Sequence, residues 1–214
     1  MGFVSRVLKI GVLAFQGSVI EHINATRAAA INLKIADKCE IIEVRTKQDL
    51  ETLDALIIPG GESTVFYKLC EREGMLEAMR KVPCIFGTCA GAIFLAKKIT
   101  GGEESGGQKT LSLMDIEIDR NAYGRQSESF EKEIITELLA ATQTINAVFI
   151  RAPKIRSVGN AVNVLAKNGK DILACEQQFT QNKKHYFYLA VCFHPELTTA
   201  IFHEHFLKNL TTKF

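Results

Sequence analysis

Leu8 to Phe15, Glu40 to Val44, Asp54 to Ile58 and Val82 to Phe86 are short apolar runs separated by stretches of helical period. That alternation predicts a parallel sheet with helices on both faces. The later half reads differently, with shorter alternating segments at Asp115 to Asp119, Ser129 to Ile134, Ala147 to Ile150, Ala161 to Ala166, Ile172 to Glu176 and Tyr186 to Phe193. These predict hairpins and antiparallel additions, closed by a helix from about Thr198 to Leu210. No internal repeat or linker-like stretch divides the chain, so residues 1–214 are expected to form one domain. The expected fold is α/β: an open, mostly parallel sheet flanked by helices with antiparallel additions. Functional residues should gather at the C-terminal ends of the parallel strands, where open α/β sheets place them.

One such end carries a thiol. Gly87-Thr88-Cys89-Ala90-Gly91 lies between the run ending at Phe86 and a helical pattern from Ala92 to Ile99. Strand, one-residue turn and helix make an elbow, which needs flanking glycines because a neighbouring Cβ would clash. The following helix aims free N–H groups at the sulfur and favours the thiolate. A buried structural cysteine requires none of these features.

A thiolate needs a base, and His194-Pro195-Glu196 ends the apolar run from Tyr186 to Phe193. If the chain stays extended through Pro195, His194 and Glu196 share a face, and Glu196 can hold the imidazole while it exchanges a proton with Cys89. Taken alone, the tripeptide reads more readily as an ordinary strand end with a solvated His and Glu. The other histidines compete poorly: His22 falls in a helical pattern, His185 beside Lys183 and Lys184, and His203 and His205 in the closing helix. Pro59-Gly60-Gly61-Glu62-Ser63-Thr64 follows another strand-like run, where two glycines and a Ser/Thr cap expose backbone N–H groups. It lacks the Gly-Lys-Ser/Thr ending of a phosphate loop. The N–H groups of Gly61 and Ala90 are the natural pair for an oxyanion hole.

Bulk properties narrow the classes. Hydrophobic content of 47% and charged content of 23% are those of a globular domain. A net charge of +2 without a basic, aromatic-rich run gives no basis for nucleic-acid binding. No apolar run approaches the roughly 20 residues of a membrane span. The apolar stretch near the N-terminus, flanked by Arg6 and Lys9, suits a first strand better than a signal peptide. Six cysteines without a C-x-x-C pair support no zinc knuckle or redox motif, and Cys84, Cys175 and Cys192 sit in apolar runs as small hydrophobes. No metal or cofactor site is expected. A nucleophilic thiol has to stay reduced, which points to the cytoplasm.

The elbow, the His-Pro-Glu end and the Gly-Gly-Glu turn together resemble the class I (triad) glutamine amidotransferases. Ile10 to Gly17 with Glu21-His22, Arg120-Asn121-Ala122-Tyr123-Gly124-Arg125-Gln126 and Phe149-Ile150-Arg151-Ala152-Pro153 narrow the resemblance to the glutaminase subunits of pyridoxal 5′-phosphate synthases. The resemblance runs from about Lys9 to the C-terminus. It implies a three-layer, flavodoxin-like arrangement and hydrolysis of L-glutamine to glutamate and ammonia through a thioester on Cys89. His194 and Glu196 would complete the triad, with Gly60, Gly61, Glu62, Arg120, Ile150 and Arg151 contacting substrate. A free amino acid carries both charges, so a guanidinium and a carboxylate or carbonyl suit its site.

The resemblance further implies a (β/α)₈-barrel synthase subunit as ammonia acceptor, in a ring-forming core, and weak activity until that partner binds. Gln16-Gly17 and the segment from Arg120 to Gln126 are the expected docking face. Two departures from the family pattern stand out: an enlarged loop from Gly101 to Gln108, and a longer hairpin turn from about Gln177 to Tyr186. Two other functions remain open on the residues alone. One is a peptidase- or deglycase-like thiol hydrolase on a similar sheet; the other is a non-catalytic subunit that only regulates its synthase.

Overall fold

In the computed structural model, which describes residues 6–101, 109–120 and 129–211, each early apolar run becomes a strand. The first half is β1 (Leu8–Leu13), α1 (Val19–Asn32), β2 (Cys39–Val44), α2 (Lys47–Leu50), β3 (Ala55–Ile58), α3 (Ser63–Arg72), α4 (Leu76–Lys81), β4 (Cys84–Thr88) and α5 (Ala90–Leu95). The rest is β5 (Ala96–Thr100), β6 (Met114–Asp119), β7 (Phe130–Leu138), β8 (Ala141–Phe149), β9 (Lys154–Val158), β10 (Val162–Asn168), β11 (Asp171–Gln181), β12 (Lys184–Val191) and α6 (Ile201–Thr211). The main path through the sheet is β2-β1-β3-β4-β12-β11-β10-β7-β8. Neighbours from β2 to β12 are parallel, and those from β12 to β8 antiparallel. β5, β6 and β9 form a side branch joined to β11 through β9.

Period-two burial explains the three layers. Ile10, Val12, Ala55, Ile57, Cys84, Phe86, Leu189 and Val191 face one core, shared with α1 and α6. Leu13, Leu56, Ile58, Ile85, Tyr188 and Ala190 face the other, shared with α3, α4 and α5. Strands buried on both faces read as continuous apolar runs, which is why these were visible in the sequence.

Two expectations need correction. The helical pattern from Ala92 to Ile99 stops at Leu95, and Ala96–Thr100 becomes β5, parallel to β6. Lys97 and Lys98 are exposed there, so the apolar spacing fitted either period. The stretch from Gln177 to Tyr186 is no long turn: β11 and β12 continue into it and leave only Asn182 and Lys183, both at positive φ (50° and 62°), as in a type I′ hairpin. Strand β9 was not foreseen. Of the expected enlarged loop only Gly101 is described, and of the Arg120 to Gln126 segment only Arg120.

The elbow helix sits very close to the sheet. A Cβ on Gly91 would lie 2.0 Å from the carbonyl oxygen of Ile58, and one on Gly87 would lie 2.4 Å from Gly91 itself. Both obstacles are backbone, so neither can rotate away. Gly91→Ala should push α5 off β3 and cost about 2 kcal/mol or more, in the manner of an overpacked core. The urea-denaturation midpoint measures this; an unchanged midpoint would contradict the close approach.

Candidate active site

Cys89 occupies a backbone conformation that few L-residues adopt, with φ 48° and ψ −105°. Such strain persists only where the surroundings over-determine it. Here its N–H donates to the Val191 carbonyl (2.8 Å), while its own carbonyl accepts from Ala92 and Ile93 in the first turn of α5. The last residue of β12 therefore grips the elbow from the next strand. Three residues later the same strand's continuation delivers His194, whose N–H donates to the Val148 carbonyl at 2.9 Å.

The imidazole lies between sulfur and carboxylate. His194 and Cys89 both stand against Gly60, close enough for the sulfur to raise the pKa of the imidazole, and His194 Nδ1 is 2.7 Å from Glu196 Oε1. Contrary to the extended course assumed from the sequence, Pro195–Leu197 is a 3-10 turn. Proline's fixed φ suits the first position of such a turn, and the turn still brings Glu196 back onto His194. Burial disfavours charge on His194, but its hydrogen bonds and charge interactions with Cys89 and Glu196 outweigh burial and push its pKa up to about 10.

The glycine turn covers this pair. A Cβ on Gly60 would meet His194 Cε1 at 2.4 Å and Cys89 Cβ at 3.2 Å. Gly61 adopts φ 145°, open to glycine. The helix cap is Glu62, not the expected Ser/Thr: its carboxylate accepts from the N–H groups of Thr64 and Val65, and Ser63 starts α3. Partial burial works against charge on Glu62, yet those bonds, the Thr64 hydroxyl and nearby Arg120 hold its carboxyl below the usual range. Arg120 reaches Glu62 Oε1 at 3.4 Å and Thr64 Oγ1 at 3.2 Å. The Ile150 carbonyl lies 3.8 Å from Cys89 Sγ. Ala90 opens α5 directly after the sulfur. Arg151 follows Ile150 at φ 46° and is exposed; among the described residues no hydrogen bond ties it to the rest of the site. Gln16 Nε2 donates to the Glu62 carbonyl at 2.9 Å, so the β1–α1 loop rests on the glycine turn.

Sequence reasoning passed over two residues that the fold brings to the triad. His22 and His203 are fully buried, with His22 Nε2 3.5 Å from Glu196 Oε2 and Nδ1 2.9 Å from His203 Nε2. The available signal was the helix face: His22, Thr26, Ala29 and Ala30 share one side of α1, and His203, Phe206, Leu207 and Leu210 one side of α6. All six cysteines are free thiols. Among the described residues no cluster is arranged to hold a metal ion, and no helix is long and apolar enough to cross a membrane.

A cysteine elbow beside a His–Glu pair at the end of a parallel α/β sheet is the arrangement of a triad thiol hydrolase. The profile of the SNO glutamine amidotransferase family matches residues 12–212, and the chain belongs to that family. It is 45% identical over 207 residues to the pyridoxal 5′-phosphate synthase subunit PdxT of Desulforamulus reducens, covering 94% of this chain and 98% of the relative. The pyridoxal 5′-phosphate synthase subunit PdxT of Methanosarcina acetivorans is 41% identical over 209 residues, covering 95% of this chain and 98% of the relative. A crystal structure of a glutamine amidotransferase superposes with a TM-score of 0.74 at 41% identity, covering 94% of this chain and 98% of that one.

Proposed function

We propose that this chain, acting as a single glutaminase domain over residues 1–214, hydrolyses L-glutamine to L-glutamate and ammonia. The ammonia passes to a synthase subunit that builds pyridoxal 5′-phosphate. The observation that carries this reading is the Cys89–His194–Glu196 constellation on a strained elbow, in a chain of the glutamine amidotransferase family.

The Cys89 thiolate attacks the side-chain amide carbon; a C–S bond forms and the carbonyl electrons move onto oxygen. The N–H groups of Gly61 and Ala90 stabilise that oxyanion. Protonated His194 gives its proton to the amide nitrogen, the C–N bond breaks and ammonia leaves a thioester. Water, losing a proton to His194, attacks the thioester, and the C–S bond breaks to return the thiolate and release glutamate. Glu196 keeps the imidazole in one tautomer throughout. Arg120 and Glu62, together with Gly60, Ile150 and Arg151, receive the two charged ends of the amino acid.

Unprotected ammonia would be protonated and lost, so the reaction makes sense beside an acceptor. The acceptor is a (β/α)₈-barrel synthase subunit in the cytoplasm, docked over the Gln16-Gly17 loop and the segment beginning at Arg120. That loop already touches the glycine turn, so docking there would act on the oxyanion hole. The test is glutamate release from glutamine by the chain alone and mixed with a synthase subunit, with a peptide as counter-substrate. Release from glutamine that rises on mixing is expected. Cleavage of the peptide instead, or no release in either state, would overturn the reading.

A further inference from the structure

His194 uses one oxygen of Glu196, and the other is buried with no hydrogen-bond partner among the described residues. A carboxylate oxygen without a donor is costly in the interior. His22 Nε2 lies 3.5 Å from it, with neither side chain exposed. The same nitrogen lies 3.0 Å from Thr88 Oγ1, on the residue before the nucleophile. On its far side, His22 Nδ1 faces His203 Nε2 at 2.9 Å, and His203 Nδ1 has no partner among the described residues.

These contacts allow two proton arrangements. In one, His22 carries its proton on Nδ1 and gives it to His203. That turns the Nε2 lone pair, which the Thr88 hydroxyl can fill, toward the carboxylate and leaves a buried N–H on His203 with no acceptor among the described residues. In the other, His203 donates from Nε2 to His22 Nδ1, and His22 carries its proton on Nε2, facing Glu196 and Thr88. The second arrangement leaves only a bare lone pair at His203 Nδ1, and it is favoured on electrostatic grounds. Both rings stay neutral in it. Burial, then the neighbouring His203 and His194, hold the pKa of His22 well below its ordinary value, and burial takes His203 down to about 3.

We propose that His22 is a positioning residue of the triad, its Nε2–H held toward the Glu196 oxygen that His194 leaves unused, with His203 fixing the tautomer. Glu196 is then clamped from two sides, which aims its first oxygen at His194 Nδ1 and keeps the opposite nitrogen on the sulfur. The inference rests on the triad reading above. Its reach extends to α1 and α6, because the triad is braced from the layer opposite the substrate.

Glutamine and asparagine separate the two nitrogens of His22, since the amide of Gln occupies the Nε2 position and that of Asn the Nδ1 position. In the complex with the synthase subunit, His22→Asn should lower kcat for glutamine about thirtyfold with KM unchanged, and His22→Gln should stay within about fivefold of wild type. In a Glu196→Gln background His22→Asn should cost less than threefold, because the group it positions is gone. Equal losses in Asn and Gln, no loss in either, or the same loss with and without Glu196 would overturn the proposal. The rate of Cys89 alkylation by iodoacetamide should follow the same order. It decides the matter even if wild type proves inert toward glutamine, an outcome that would sink the glutaminase reading alone. Independent of any variant's folding, imidazole ¹⁵N shifts of the wild type should show His22 protonated on Nε2 and bare on Nδ1; the opposite tautomer excludes the clamp.

Discussion

Cys89→Ala is expected to abolish glutamate release, by about a million-fold in kcat, the scale on which removal of a triad nucleophile acts. Binding of glutamine should survive, because Gly60, Glu62 and Arg120 contribute no atom to the thioester. The same variant has a second consequence that can be read without substrate. In the wild type burial opposes charge on His194, and Cys89 and Glu196 together overcome it, taking the pKa to about 10. Without the sulfur only Glu196 is left to oppose burial, so the imidazole should titrate at a lower pH, as followed by NMR of its ring protons. Because the folded value lies above the ordinary 6.5, the stability that charged His194 contributes is fully present below about pH 6.5 and is lost as pH rises through about 10. The wild-type denaturation midpoint should therefore fall across that window more than the variant's. Retained turnover in Cys89→Ala would remove the thiol from the chemistry.

The parallel half of the fold was legible because strands buried on both faces leave unbroken apolar runs, and because Gly87 and Gly91 bracket Cys89 at the elbow. The antiparallel half was read with blurred boundaries. The turn between β7 and β8 is Leu139-Ala140, both at positive φ (56° and 64°), and neither residue type signals a type I′ turn. Nor did β5 announce itself, since its pairing with β6 spans residues distant in sequence and its apolar spacing also fits a helix. Cys89, His194 and Glu196, which the fold brings together, each lie in a local motif, while His22 and His203 were set aside as helix residues. Their role depends on α1 and α6 packing side by side, a contact between chain segments 181 positions apart that no local pattern encodes. Glu62 was placed in the right turn, but its function as the cap of α3 was assigned to Ser/Thr, the commoner capping types.

Gly60→Ala should be the most damaging change outside the triad itself. The backbone at Gly60 is not in the left-handed region, so alanine is conformationally acceptable and the fold should survive. The added methyl, however, would stand 2.4 Å from His194 Cε1 and 3.2 Å from its Nε2. Real carbon atoms do not approach so closely, and the imidazole is the softer partner, because the turn is backbone. It must move by about an ångström, and misplacement on that scale costs on the order of a hundredfold. Its proton transfers to the leaving nitrogen and from water suffer as well, each worth about a hundredfold or more when intact. The losses overlap, since one displacement causes both, and a drop of about a thousandfold in kcat is expected, with a melting temperature close to wild type. Iodoacetamide should also alkylate Cys89 more slowly, because the ring that supports the thiolate has been pushed aside. Full turnover in Gly60→Ala would mean that His194 does not stand against the glycine turn during catalysis, and the proton path through its Nε2 would have to be abandoned.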